Sequence, residues 1–203
     1  MIIMEYYPDG NIVDALIISD ERRISAVGQI LDGLSYLHAK GLVHRNLKPE
    51  NLLVKLEPFQ LAISDFGMSK VVPDFLKTFS RTSPYAAPEV YPGQSHGYGC
   101  QADVWSLGVI TLELMYGLPP LPAYPRLQTN QRTLTAAQWR IWIGDWTTLL
   151  LARLNGKEDQ LTEILLHVIE VGPRKRWSAN KCLAWGFENG LFKRRLVDGL
   201  VIC

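Results

Sequence analysis

His44-Arg45-Asn46-Leu47-Lys48-Pro49-Glu50-Asn51 is a polar octapeptide set between two short apolar runs, Leu42-Val43 and Leu52-Leu53-Val54. The flanks read as short β-like pieces and the octapeptide as the loop between them, with Leu61-Ala62-Ile63 a further β-like run. Fourteen residues after Asn51 stands Asp65-Phe66-Gly67, and twenty-four after Asp65 stands Glu89, closing Ala87-Pro88-Glu89. One tripeptide alone recurs by chance about once in 8,000 positions and carries little. Three motifs in this order, at spacings that loops can bridge, are specific.

On these residues the chain resembles the eukaryotic protein kinase family, whose signature set has the same order. His44, Arg45, Leu47 and Asn51 match the catalytic-loop pattern, and Asp65-Phe66-Gly67 and Ala87-Pro88-Glu89 match completely. Met4-Glu5-Tyr6-Tyr7 looks like the gatekeeper and hinge. Asp103-Val104-Trp105-Ser106-Leu107-Gly108 looks like the start of the central buried helix. Pro173-Arg174-Lys175-Arg176 looks like the late motif whose Arg pairs with the glutamate of Ala-Pro-Glu. The resemblance runs from Met1 to Phe192 and is thinnest over Leu121–Gln160. Lys48-Pro49-Glu50-Asn51, with Thr82 ahead of Pro84, is similar to serine/threonine rather than tyrosine kinases.

The resemblance implies ATP and Mg²⁺ as cofactors and a role for each matched residue. Phosphoryl transfer needs positioning and neutralisation of spreading negative charge more than covalent help. Asn51 and Asp65 supply hard oxygen ligands for the metal. Lys48 supplies a cation near the transferring group, and Thr82 stands with it among the catalytic residues. Glu5, Tyr7, Asn11 and Leu53 are the expected nucleotide-pocket residues. His44, Arg45, Phe66, Glu89, Asp103 and Arg176 are expected to be structural. Thr78, thirteen residues after Asp65, falls where activation-loop phosphosites often lie. A phosphate there would pair with Arg45 and order the loop.

Two departures bear on activity. The position of the catalytic Asp holds Asn46, whose amide keeps the shape but has neither charge nor a basic oxygen. General-base help is typically worth about 10²–10⁴-fold, and that is the expected loss. The family's β-rich N-terminal lobe, with its Gly-rich loop and strand lysine, would precede the hinge. Only three to six residues do so here, and no G-x-G-x-x-G occurs anywhere in the chain. Half the nucleotide pocket is therefore expected to be missing.

Outward from these motifs, Ile24, Val27, Ile30, Leu31, Leu34 and Leu37 recur at helical spacing, predicting a helix over about Arg22–Lys40 stopped by Gly41. Asp103–Tyr116 is apolar on nearly all sides, as a buried helix is. Trp139, Trp142 and Trp146 line one face of a helix over about Thr135–Leu154 and read as core. Leu161, Ile164, Leu165, Val168 and Ile169 predict a fourth helix. Met1–Tyr7 reads as a strand and Gly117–Pro125, with four prolines, as a rigid connector. Gly172–Arg195 carries seven Lys/Arg against one Glu and reads as a solvated face.

Composition narrows the function classes. With 47% apolar and 20% charged residues in 203, the chain is globular, not disordered or collagen-like. A net charge of +1 gives no bulk reason to expect a nucleic-acid partner. Three scattered cysteines suggest neither a zinc site nor a disulfide framework and fit a reducing compartment. No signal peptide is visible, and the longest apolar run, Val104–Leu118, is too short to span a bilayer. A soluble cytoplasmic or nuclear protein without a membrane partner is expected.

The expected fold is mainly α (α+β): the helical C-lobe of a protein kinase, with the N-terminal β-lobe largely missing. Residues 1–13 would be a remnant of the last N-lobe strand and the hinge, 14–195 the C-lobe and 196–203 a tail. The expected function is that of a serine/threonine kinase-like pseudokinase lobe or fragment that acts by binding a partner protein. The alternative is an active serine/threonine kinase, acting on a protein substrate, if a full N-lobe exists and Asn46 is tolerated.

Overall fold

The computed structural model describes residues 5–15, 19–65, 83–90, 99–125 and 134–203. Among them five helices surround one apolar core. Helix α1 spans Asp20–Ala39, opened by the Ser19 hydroxyl accepting from Arg22 N–H, with Asp20 and Glu21 in the first turn. It ends before Gly41, whose φ of 71° suits glycine. A 3₁₀ turn, Pro49–Asn51, leads into strand β1 (Leu52–Leu56), which pairs antiparallel with β2 (Phe59–Ile63), Leu52 opposite Ile63. Helices α2 (Gln101–Tyr116), α3 (Ala136–Ala152), α4 (Gln160–Val168) and α5 (Ala179–Glu188) follow, then a two-residue ladder of β3 (Lys193–Arg194) with β4 (Val201–Ile202).

Helix α2 is the axis of the core: every residue from Ala102 to Leu112 is buried. It can be apolar all round because α1 and α4 pack against it and the Trp face of α3 joins the same core. Where α4 crosses α2 the approach is close, and a Cβ on Gly108 would lie 2.7 Å from Val168 Cγ2. Thr135 caps α3 with a reciprocal capping box to Gln138. The end of the chain returns to the start of the lobe. Val201 is fully buried against α1, and Cys203 N–H donates to the Ser25 hydroxyl.

Three expectations are corrected. Of the strand expected over Met1–Tyr7, residues 1–4 lie outside the described residues and 5–7 form no strand, and Leu42-Val43 lies in the connection after α1, where Leu42 N–H donates to the Leu37 carbonyl. An apolar pair needs a partner strand before it becomes one. Gly172–Arg195 is not a plain solvated face, since it contains α5, which buries Ala179, Cys182, Leu183 and Gly186. Its charges flank that helix or lie on its outer side, except Arg176, which is buried, and they masked the apolar spacing within. No described helix is long and apolar enough to cross a membrane.

Candidate active site

Asp103, in the first turn of α2, is 1% exposed and organises the loop that follows α1. Its Oδ2 accepts from His44 N–H at 2.8 Å and its Oδ1 from Arg45 N–H at 2.8 Å. The same carboxylate accepts from His38 Nε2 at 2.9 Å. These bonds hold Arg45 at φ 68°, a left-handed backbone that costs a non-glycine residue of order 1–3 kcal/mol. The His44 ring fixes the other side. Its Nε2 donates to the Ser64 carbonyl at 2.8 Å, so Nδ1 is the acceptor facing Asn46 N–H at 3.4 Å. The loop and the residue before Asp65 are thereby tied through one imidazole.

Asn46 is half-buried, and its carbonyl accepts from Asn51 Nδ2 at 2.8 Å. That bond commits the amide nitrogen of Asn51 and leaves Oδ1 as the oxygen on the other side of the group. Ser64 closes the array, with N–H and Oγ both donating to the Asn51 carbonyl at 2.8 and 3.0 Å. Asp65 follows, exposed and at φ 61°. A carboxylate and an amide oxygen are hard-oxygen donors, and they fit Mg²⁺ in kind. Among the described residues no group of three or more His, Cys, Asp or Glu could hold a metal. Lys48 is half-buried at the start of the 3₁₀ turn.

The four expected nucleotide-pocket residues come to one edge of β1. Asn11 bridges Leu53, with Ile12 N–H donating to Leu52 O and Val54 N–H to Gly10 O. The side chains of Glu5 and Asn11 are engaged elsewhere: Glu5 with Lys55, and Asn11 with Asp14 at 2.6 Å. Lys55 Nζ also stands 4.9 Å over the Tyr7 ring. Burial, with the Glu5 charge, pushes the Tyr7 phenol up against the opposing pull of Lys55.

Below the loop, Ser83–Val90 is fastened from several sides. Glu89 meets Arg176 in a two-pronged pair, 2.7 and 3.1 Å, with the Arg176 side chain fully buried. Nε and Nη2 of that guanidinium also donate to Glu170 O, and Nη1 to Gln101 O. Its face lies 5.2 Å over Trp105. Tyr85 donates to Glu113 at 2.7 Å and accepts Ser106 Oγ on its carbonyl at 2.8 Å. Burial and the Glu113 carboxylate push that phenol far up. Trp139 and Trp146 donate their indole N–H to Pro88 O and Pro84 O, both at 2.9 Å. A small cleft opens between this segment and the loop, lined by Arg45, Asn46, Leu47, Tyr85, Val90 and Ser106.

Thus the structure gathers Asn46, Asn51 and Asp65 around His44, Arg45 and Asp103, and brings Glu89 to Arg176. Phe66, Thr78 and Thr82 lie outside the described residues. His38, Ser64, Tyr85, Ser106 and Trp146 were not singled out for the site. For the Trp stripe the available signal was the indole N–H, because a buried Trp usually finds an acceptor for it.

Comparison with known proteins agrees with this geometry. A calcium/calmodulin-dependent protein kinase type 1B of Mus musculus is 33% identical over 181 residues, 86% of this chain and 49% of the relative. A probable myosin light chain kinase of Dictyostelium discoideum is 36% identical over 186 residues, 88% and 56%. The probable serine/threonine-protein kinase fhkE of the same organism is 31% identical over 181 residues, 85% and 24%. The chain thus spans about a quarter to a half of these curated relatives. The solved structure of Rad53 in complex with AMP-PNP superposes with a TM-score of 0.66 at 26% identity, covering 90% of this chain and 45% of that one. The model of the protein kinase domain matches residues 1–187, and the chain belongs to the protein kinase family.

Proposed function

We propose that this chain is a catalytically impaired serine/threonine kinase lobe that acts by binding a partner protein. The observation that carries the reading is Asn46. The loop around it keeps the hydrogen bonds that would aim a base at an acceptor hydroxyl, but the side chain there cannot take the proton. Its amide can still hold the hydroxyl by a hydrogen bond, so the loss is in rate, about 10²–10⁴-fold. In this reading residues 14–195 are the lobe, 1–13 the remnant of the last N-lobe strand with the hinge, and 196–203 a tail whose Val201 packs on α1. Asn51 and Asp65 would hold Mg²⁺, which neutralises phosphate charge when bound. Lys48 would sit beside the transferring group, and Glu5, Tyr7, Asn11 and Leu53 would edge the nucleotide.

The 203 residues contain no G-x-G-x-x-G to cover the phosphates. Purified chain incubated with radiolabelled ATP, Mg²⁺ and a generic acceptor protein is therefore expected to label nothing above a no-enzyme control. Turnover that Asp65→Ala abolishes would overturn the reading. The intact strain and hydrogen bonding at Arg45, His44 and Asn51 favour a second reading, an active serine/threonine kinase that tolerates Asn46 within a longer protein. There the labelling assay would show turnover with Asn46 in place, and Asn46→Asp would raise it.

A further inference from the structure

Two Asn-Gly pairs, Asn155-Gly156 and Asn189-Gly190, occur in the chain, and the kinase reading uses neither. The pair has a chemistry of its own. The backbone nitrogen that follows an asparagine can attack that asparagine's side-chain carbon Cγ and close a five-membered imide. Glycine hinders the attack least, because it brings no Cβ to the nitrogen. The nitrogen must first lose its proton, and the amide must swing over its own main chain. A hydrogen bond held by either group opposes the step.

Both pairs stand in exposed turns, Asn155 after α3 and Asn189 after α5. Both glycines are left-handed, at φ 74° and 75°, and a Cβ on either would meet open space. Exposure, backbone form and room therefore do not tell the pairs apart. Hydrogen bonding does. Asn189 Nδ2 donates to the Trp185 carbonyl at 2.8 Å, and Gly190 N–H donates to the Phe187 carbonyl at 3.2 Å. Gln160 Nε2 donates to the carbonyl of Asn189 as well. At the other pair, neither the Asn155 side chain nor Gly156 N–H has a hydrogen bond among the described residues. The N–H groups on either side are engaged, Asn155 to Ala152 O at 3.4 Å and Lys157 to Leu154 O at 3.1 Å. The turn thus occupies its donors except the one that the attack needs.

We propose that Asn155 is a site of spontaneous deamidation in the native chain and that Asn189 is not. Hydroxide takes the Gly156 N–H proton, and the nitrogen bonds to Asn155 Cγ. The bond from Cγ to the amide nitrogen breaks, and that nitrogen takes up a proton and leaves as ammonia. Water then opens the imide. Attack at Cγ gives aspartate, and attack at the main-chain carbonyl gives isoaspartate, with the chain running through the former side chain. One water enters and one ammonia leaves, with no oxidant or reductant. Either product puts a carboxylate between α3 and α4 and cancels the chain's formal charge of +1. The inference holds whether or not the lobe transfers phosphate.

The test holds the full chain at pH 8 for days, native in one arm and unfolded in guanidinium chloride in the other. Digested peptides are then mapped by mass. Unfolded, both asparagines should gain the mass of an amide turned acid at rates within about threefold of each other, since neither is held. In the native arm Asn155 should react at close to its unfolded rate, and Asn189 about tenfold or more slowly, because its turn must open first. The Asn155 product should be two peptides of equal mass, one of them labelled by an isoaspartyl methyltransferase, as opening of an imide requires. Direct hydrolysis of the amide would give aspartate alone. A native Asn189 that keeps pace with Asn155 overturns the proposal. So does a native Asn155 protected about as strongly as Asn189, or a product that is aspartate alone.

Discussion

Arg176 is where one side chain does most for the fold. All three of its side-chain nitrogens donate: Nη1 and Nη2 to Glu89, Nη1 also to the Gln101 carbonyl at the start of α2, and Nε and Nη2 to the Glu170 carbonyl after α4. A guanidinium can do this because its donors form a rigid fork; an ammonium has three donors at one point. Arg176→Ala would leave the Glu89 charge without its partner, a loss of about 3–5 kcal/mol for a buried pair. At ~2–4 °C per kcal/mol for a chain of this size, the melting temperature should fall by roughly 6–20 °C. Arg176→Lys should recover only a minor part. Calorimetry of both variants checks this, and an Ala variant melting within about two degrees of the parent would refute the tether. Asp103→Asn is a companion case. The amide keeps one acceptor for the three donors now on the carboxylate, so a drop of about 1–3 kcal/mol is expected from the unmet donors, read from urea unfolding.

The capping of α4 and the seam of α5 supply predictions at the scale of elements. Asp159 caps α4 by accepting from Thr162 N–H at 2.8 Å. Burial raises its carboxyl, but the hydrogen bonds from Thr162 and Tyr116 outweigh that and hold it below the ordinary range. A depressed folded value means stability that is present above the unfolded pKa and lost as pH falls through the folded one. Asp159→Ala should therefore cost about 1 kcal/mol at pH 7. The gap to the parent should narrow once the pH drops below about 4, as chemical denaturation across that range would show. In α5, Gly186 lies against the Phe192 ring, so closely that a Cβ would collide with it. Ala in place of Gly gains about 1 kcal/mol of helix propensity. Overpacking costs about 1–3 kcal/mol, so Gly186→Ala should be net destabilising. A stabilised variant would mean that Phe192 has another rotamer to adopt.

Across the whole molecule, α5 and the closing strand β4 both pack on α1. Cys182 is fully buried in α5, and burial pushes its thiol up to about 12. Only the thiolate attacks an alkylating reagent. At pH 8 iodoacetamide should leave Cys182 unmodified in the native lobe and label it on the same urea curve that reports global unfolding. Labelling ahead of that curve would show α5 opening as a separate unit. Val201→Asp should likewise unfasten the chain end from α1, because it would bury a carboxylate among apolar groups. Faster proteolysis after Arg194 or Arg195 than in the parent would report it.

How much of this was legible beforehand depended on the range of the forces involved. Local order carried the His44–Asn51 motif, the Ala-Pro-Glu motif and four helices. Apolar residues at helical spacing, a glycine after α1 and matched tripeptides are all written within a few residues of one another. Asn46 is likewise a plain reading of one position. Helix α5 escaped because its apolar positions are interleaved with Lys181 and flanked by basic runs, so only its neighbours reveal which face is buried. Leu42-Val43 looked β-like because pairing is non-local and the sequence names no partner. Only the tertiary structure could show His38 sharing Asp103 with the loop after α1, three indoles reaching the carbonyls of Pro84, Pro88 and Pro122, and Val201 returning to α1. Those partners lie from 20 to more than 170 residues apart, and hydrogen bonding at that separation is decided by packing, which the sequence states only through the fold as a whole.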